Sequence, residues 1–260
     1  MRNRHFLILA AALLANPAVA QPRWQPEDHP EPDGSILGGT AFSSDYDTLV
    51  RDLLRDAYAL RVEVRMVALP SVSPEYAVGL RSFKTYGWGA PYRIFVLTPK
   101  AQIWTYSSIA MLKSGQIKTG TWGSGNQDSR QDLQKKEIAR LETQVPANPR
   151  DLKIDRCDIS LSEVLGDRIV EVWRKMVQAT RYPAQYSAVL DGVGYHFAMV
   201  SPKAGLIAGQ TRSPNPASTT GMLVTLADTM RAVCEKKATM TELDQITTEL
   251  EQRLQKGGGK

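Results

Sequence analysis

Between Leu49 and Ala68 the apolar residues change their spacing, and this change restricts the fold more than any other feature of the chain. Leu49, Val50, Leu53, Leu54, Ala57 and Leu60 follow one another at helical intervals, behind a capping box of Ser44 and Asp47. Val62, Val64, Met66 and Ala68 then alternate with Arg61, Glu63, Arg65 and Val67, the two-residue period of a half-buried strand that ends at Pro70. A helix with one apolar stripe must bury it on another element, so a helix running straight into a strand points to helices packed on a sheet.

The downstream pattern repeats this alternation of types. Tyr76 to Phe83 reads as a second strand. Tyr92 to Leu97 and Gln102 to Ser107 read as two strands of a hairpin, with Pro99 at the second position of a type I turn. Ile117 to Trp122 reads as a further short strand. Residues 130–141 are strongly polar, with Leu133, Ile138 and Leu141 as a thin apolar stripe, and Pro146 and Pro149 end this surface helix. Cys157 falls in a strand. Ser160 with Glu163 forms a capping box ahead of Val164, Leu165, Ile169, Val172, Trp173, Met176 and Val177. Two apolar stretches flank the Asp191-Gly192 turn, a hairpin signal, and Leu206 to Ala208 adds a short strand. Pro214 and Pro216 precede a helix carrying Leu223, Leu226, Ala227, Met230 and Cys234. Met240, Leu243, Ile246, Leu250 and Leu254 form a last helical stripe, suited to core packing or to self-association as a homo-oligomer.

The expected fold class is therefore α+β, antiparallel strands with packed helices, in one domain or two unequal segments. The boundaries read 1–20 for a signal peptide and 21–41 for a disordered leader rich in proline. An α+β segment at 42–125, a polar helix or linker at 126–150 and a second α+β segment at 151–238 follow. A C-terminal helix and flexible tail occupy 239–260.

The first twenty residues have the three parts of a secretory signal. Arg2 and Arg4 are basic, Phe6 to Leu14 is apolar, and Ala18-Val19-Ala20 supplies a small-x-small cleavage site. The apolar run is shorter than the roughly 20 residues that cross a bilayer, so the expectation is export, to the periplasm, of a soluble mature chain starting near Gln21. Removing Arg2 and Arg4 from 32 Lys+Arg leaves an excess of 3 over 27 Asp+Glu, too little to argue for nucleic acid. Cys157 and Cys234 are the two cysteines, and in an oxidising compartment an isolated pair is most simply a disulfide; two separate buried thiols are the alternative.

Several chemistries lack their parts. Lys118-Thr119-Gly120 matches the substrate-facing triplet of penicillin-recognising enzymes, but no Ser of the chain has Lys three residues on, so the nucleophile is missing. Beyond the signal only His29 and His196 remain. His196 alternates with Tyr195 and Phe197 as a sheet histidine does, and no G-x-S-x-G elbow accompanies it. No H-x-x-x-H or C-x-x-C supports zinc, and no Walker or dinucleotide-binding glycine pattern supports a nucleotide, so neither a cofactor nor a metal is expected. Asp155, Asp158, Glu163, Asp167 and Asp191 are the candidates for a glycosidase-like carboxylate pair. The segment from Lys84 to Tyr92 places Tyr86, Trp88 and Tyr92 among Gly87, Gly89 and Pro91, where loop aromatics offer contact area to a partner or else fold back over the core.

One longer pattern runs from Cys157 to Cys234. It comprises Cys157, Trp173 with Met176, Arg181-Tyr182, Asp191-Gly192 with Tyr195-His196-Phe197, Ala208-Gly209 with Thr211 and Ser213-Pro214, and Cys234. This resembles uncharacterised exported proteins of proteobacteria, over about a third of the chain. The resemblance implies location and the disulfide, and brings no activity with it. The expectation is a non-enzymatic binding protein of the inhibitor, immunity or envelope-assembly kind, whose partner is another protein or an envelope component. The alternative is an envelope hydrolase working through paired carboxylates.

Overall fold

The computed structural model describes residues 29–32, 43–83, 92–117, 127–182, 192–201 and 203–257. Its centre is one antiparallel sheet in the spatial order β1-β7-β6-β2-β3-β4-β5. The strands are β1 (Glu31–Pro32), β2 (Val62–Pro70), β3 (Tyr76–Ser82), β4 (Tyr92–Pro99), β5 (Ile154–Leu161), β6 (Val193–Ser201) and β7 (Gly205–Arg212). The helices are α1 (Ser43–Leu53), α2 (Trp104–Lys113), α3 (Gln127–Glu142), α4 (Glu163–Gln178), α5 (Thr219–Cys234) and α6 (Met240–Gly257). This is the α+β class that the sequence suggests, and the two segments of the chain share one sheet. The meander β2-β3-β4 comes from the first segment, while the second sends β6 to the free side of β2 and β5 to the free side of β4.

Helices cover both faces of the sheet, which explains why β2 buries four consecutive residues from Met66 to Leu69 instead of alternating to its end. Val64, Met66 and Ala68 face α4, α5 and α6, together with Val78, Leu80, Ile94 and Phe197. Val67 and Leu69 face α1 and the segment leading into α2, together with Ala77, Phe95 and Leu97. Val62 joins this second group although it has the parity of the first. The ladder pairs Val62 with Arg81 and Val64 with Leu80, so an extra residue at Glu63 makes a bulge and turns the strand over. Gly79 of β3 lies close against the backbone of β2, and a methyl group there would meet the Val64 carbonyl oxygen at 2.1 Å.

Several sequence expectations are corrected. Gln102 to Ser107 is not the second strand of a hairpin; α2 begins at Trp104, and β4 pairs instead with β3 and β5. Ser160 is not a helix cap either, because β5 runs on to bury Leu161. The Ser162 hydroxyl is the acceptor for the Leu165 amide at the start of α4. Within the leader read as disordered, Glu31 and Pro32 pair with Gln210 and Gly209 of β7, and the Pro30 carbonyl accepts from the Arg181 amide at 3.1 Å. Proline is tolerated at such an edge because a sheet asks for no N–H on its outer side. Residues 118–122 and 186–190, read as strands, lie outside the described residues.

The C-terminal stripe is occupied within the chain. Leu243 and Leu250 of α6 are fully buried against α4 and α5. Arg168 of α4 donates to Glu251 at 2.7 Å and to the Thr248 hydroxyl at 2.7 Å, and pairs with Asp244. Among the described residues no helix is long and apolar enough to cross a membrane.

Cys157 of β5 and Cys234 of α5 form a disulfide that spans 77 residues. Closing a loop of that length removes freedom from the unfolded chain. Serine at both positions is expected to lower the unfolding free energy by about 2–5 kcal/mol. Urea denaturation of the parent and the double variant measures it, and equal midpoints would show that the bond adds nothing to stability.

Candidate functional site

At the β5 edge, on the face that carries α1, a groove of about 730 Å³ opens to solvent. Its floor is apolar: Leu152 is buried, while Leu49 and Leu53 of α1 and Ile154 of β5 are half-buried. Its rim is charged. Arg55 comes from the short 3-10 helix after α1, Arg150 from the turn that leads into β5, and Arg156 from β5 itself; Asp52 of α1 lines the groove as well. Arg156 pairs with Asp56. Arg55 and Arg150 have no side-chain partner among the described residues. Asn148 accepts from the Arg150 backbone amide at 3.1 Å, which fixes the turn and not the guanidinium.

The same face of the sheet continues basic beyond the groove. Arg81 lies 4.5 Å over the ring of Phe95 and donates to Asp158 at 2.8 Å; Arg65 lies 4.3 Å over Tyr58, and Arg93 5.4 Å over Phe83. A guanidinium stays protonated at any working pH and presents a planar fork of donors, so this array suits carboxylate or phosphate and not proton transfer. Among the described residues that line the groove there is no Ser, Cys, His or Lys.

The wall formed by α1 is held by a buried carboxylate. Glu75, with no exposed surface, accepts from the Tyr46 hydroxyl at 2.6 Å, from the Ile103 amide at 2.6 Å and from the Trp104 amide at 2.9 Å. It thus ties α1 to the N-terminus of α2, where backbone amides and the helix dipole favour negative charge. Tyr46 also meets Trp104 edge-on, with ring centroids 5.0 Å apart. Burial pushes the Glu75 carboxyl above its ordinary range, while the Tyr46 hydroxyl and the two amides oppose that rise. The Tyr46 phenol is pushed up as well, first by burial and then by the charge and hydrogen bond of Glu75.

The residues singled out in the sequence do not assemble into a second site. Tyr86 and Trp88 lie outside the described residues, as do Asp191 and Lys118-Thr119-Gly120. Tyr92 is a core residue and not a surface aromatic: it is 4% exposed, its hydroxyl donates to Asp167 at 2.6 Å, and its ring lies flush against Gly166. Asp155 and Asp158, three apart on β5, point to opposite faces, one paired with Lys100 and the other with Arg81. Glu163 opens α4, and Asp167 is taken by Tyr92. His196 is buried in β6, paired in register with Val67 and Gln210. Among the described residues no three His, Cys, Asp or Glu side chains gather as metal ligands.

Two other places draw attention and explain themselves by packing. Tyr76 of β3 donates to Asp228 of α5 at 2.5 Å under the guanidinium of Arg231, and burial pushes both the phenol and the carboxyl up. A smaller groove of about 420 Å³ between α2 and α3 is crossed by its own Lys113–Glu142 ion pair at 2.7 Å. No protein-family model, curated protein or solved structure matches the chain.

Tyr46→Phe removes one of the three donors to Glu75. It is expected to destabilise the protein by about 1–3 kcal/mol at pH 7, the cost of a buried acceptor losing a partner. The hydrogen bond holds the Glu75 pKa down, so its removal penalises the ionised carboxylate most. The gap between variant and parent should therefore narrow as pH falls through the raised Glu75 titration and the carboxylate becomes neutral. Denaturation at pH 7 and pH 4 tests this, and a gap that widens in acid would contradict it.

Proposed function

We propose that this chain is an exported, periplasmic, non-enzymatic binding protein that holds an anionic and partly apolar ligand in the groove between α1 and β5. The observation that carries the reading is the pairing of an apolar floor with Arg55 and Arg150, whose side chains have no partner among the described residues. An apolar pocket with a few convergent charged groups is the usual form of a binding site. Export is supported by the signal-like first twenty residues and by the Cys157–Cys234 disulfide, a bond that persists in oxidising compartments. A hydrolase would need two carboxylates facing one space, and the acids of β5 diverge.

Octyl phosphate, kept below its micelle concentration, is a minimal probe with both an anionic head and an apolar tail. Titration followed by NMR should shift the arginine Nε–H signals of the groove. Affinity should fall as salt rises. Losing one charge-assisted hydrogen bond is worth roughly 1.5–3 kcal/mol, so Arg55→Ala together with Arg150→Ala should weaken binding at least about tenfold. Equal binding by parent and double variant would refute the assignment.

A further inference from the structure

The groove runs along a sheet edge to which, among the described residues, no strand is paired. The register shows what that edge offers. The Lys100 amide donates to the Lys153 carbonyl at 2.9 Å, so these two oppose each other as a hydrogen-bonded pair, one position before Pro99↔Ile154. Hydrogen-bonded and non-bonded pairs alternate along an antiparallel ladder. Asp155, Cys157 and Ile159 therefore bond inward to β4, and Ile154, Arg156, Asp158 and Ser160 turn their N–H and C=O groups outward.

The side chains of the outward set lie on the face of the groove. Ile154 contributes to its floor and Arg156 to its rim. Asp158, which would repel an acid, is already paired with Arg81. The disulfide at Cys157 ties this strand to α5, so the edge is held in place before anything binds.

We propose that the ligand is an extended segment of a partner protein, which adds to β5 as a further strand and sets acidic side chains against Arg55 and Arg150. The proposal rests on the binding reading above and names its ligand. Main-chain donors and acceptors at an open edge are matched by another peptide, and pockets for alternate side chains give such pairing its specificity. On the groove face the added strand presents acidic residues to the arginines and an apolar residue to Ile154. Its other face lies beside the half-buried Ile159 and the disulfide. Charges on an edge strand discourage pairing with an uncharged strand, and Arg55 and Arg150 beside β5 favour an acidic one.

Amide hydrogen exchange, followed residue by residue by NMR on the full chain, tests this. The probes are a capped eight-residue peptide of alternating glutamate and valine, an alternating lysine and valine peptide, and octyl phosphate. The expected result is that the acidic peptide slows exchange at least about tenfold at Ile154, Arg156, Asp158 and Ser160, the basic peptide does not, and Arg55→Ala with Arg150→Ala abolishes the effect. Octyl phosphate bound at the arginines, with no amide protection from the acidic peptide, would overturn strand addition and leave the groove as a site for small anions. If the basic peptide protects as well as the acidic one, the arginines do not select the partner and the proposal falls. If no probe disturbs either the arginines or the edge amides, the proposal and the binding reading fall together.

Discussion

Glu75 sits where the loop from β2 enters β3, and the α1 side of the sheet is organised around its carboxylate. Burying a charge is costly unless donors meet it, and here three do, one from α1 and two from the N-terminal end of α2, at its cap Ile103 and its first residue Trp104. The same three bonds fix the position of α1 relative to β3 and the direction in which the chain leaves β4. Leu49 and Leu53, one and two turns after Tyr46, then face the floor of the groove. A site built from flexible arginines is thus backed by a wall whose position is set in the interior.

The opposite face is organised differently. There α4, α5 and α6 bury a continuous apolar surface on the sheet, with Trp173 edge-on to Phe197 at 5.7 Å between ring centroids. The polar links on that side join strand to helix, as Tyr76 to Asp228 and Tyr92 to Asp167, or helix to helix, as Arg168 reaching two turns of α6. The two layers therefore divide the work. One supplies the bulk of the apolar core, and the other is thinner among the described residues, with Arg65, Arg81 and Arg93 lying over aromatic rings.

Local signals carried much of the fold. The alternation of Val62 to Ala68, the stripe of Leu165 to Val177 and the stripe of Met240 to Leu254 each describe a single element, and each element is present. What failed was decided at a distance. The helix at Trp104 is capped by a residue 29 positions earlier, so the sequence around Trp104 shows no cap of its own. Glu31 and Pro32 look like part of a proline-rich leader until β7 is brought beside them. Tyr92 reads both as a loop aromatic and as the first residue of a strand, and the strand decides its place, because Ile94 and Val96 share its inward parity. The groove was the hardest to see, because Arg55 and Arg150 are separated by almost a hundred residues and neither stands out from an ordinary charged surface. The nearest local hint is the Asn148-Pro149-Arg150 turn, which presents its arginine outward.

The tie between Cys157 and Cys234 also affects how the sheet comes apart. An edge strand bonded on one side is ordinarily the first to fray, since few contacts are lost when it lifts away. Here β5 is covalently fastened to α5 and cannot detach without dragging a helix out of the main core. At the other side, among the described residues, β7 is covered only by the two residues of β1. Opening should therefore begin at β7, and the edge that borders the groove should stay intact through the small local unfolding events that loosen the rest of the sheet.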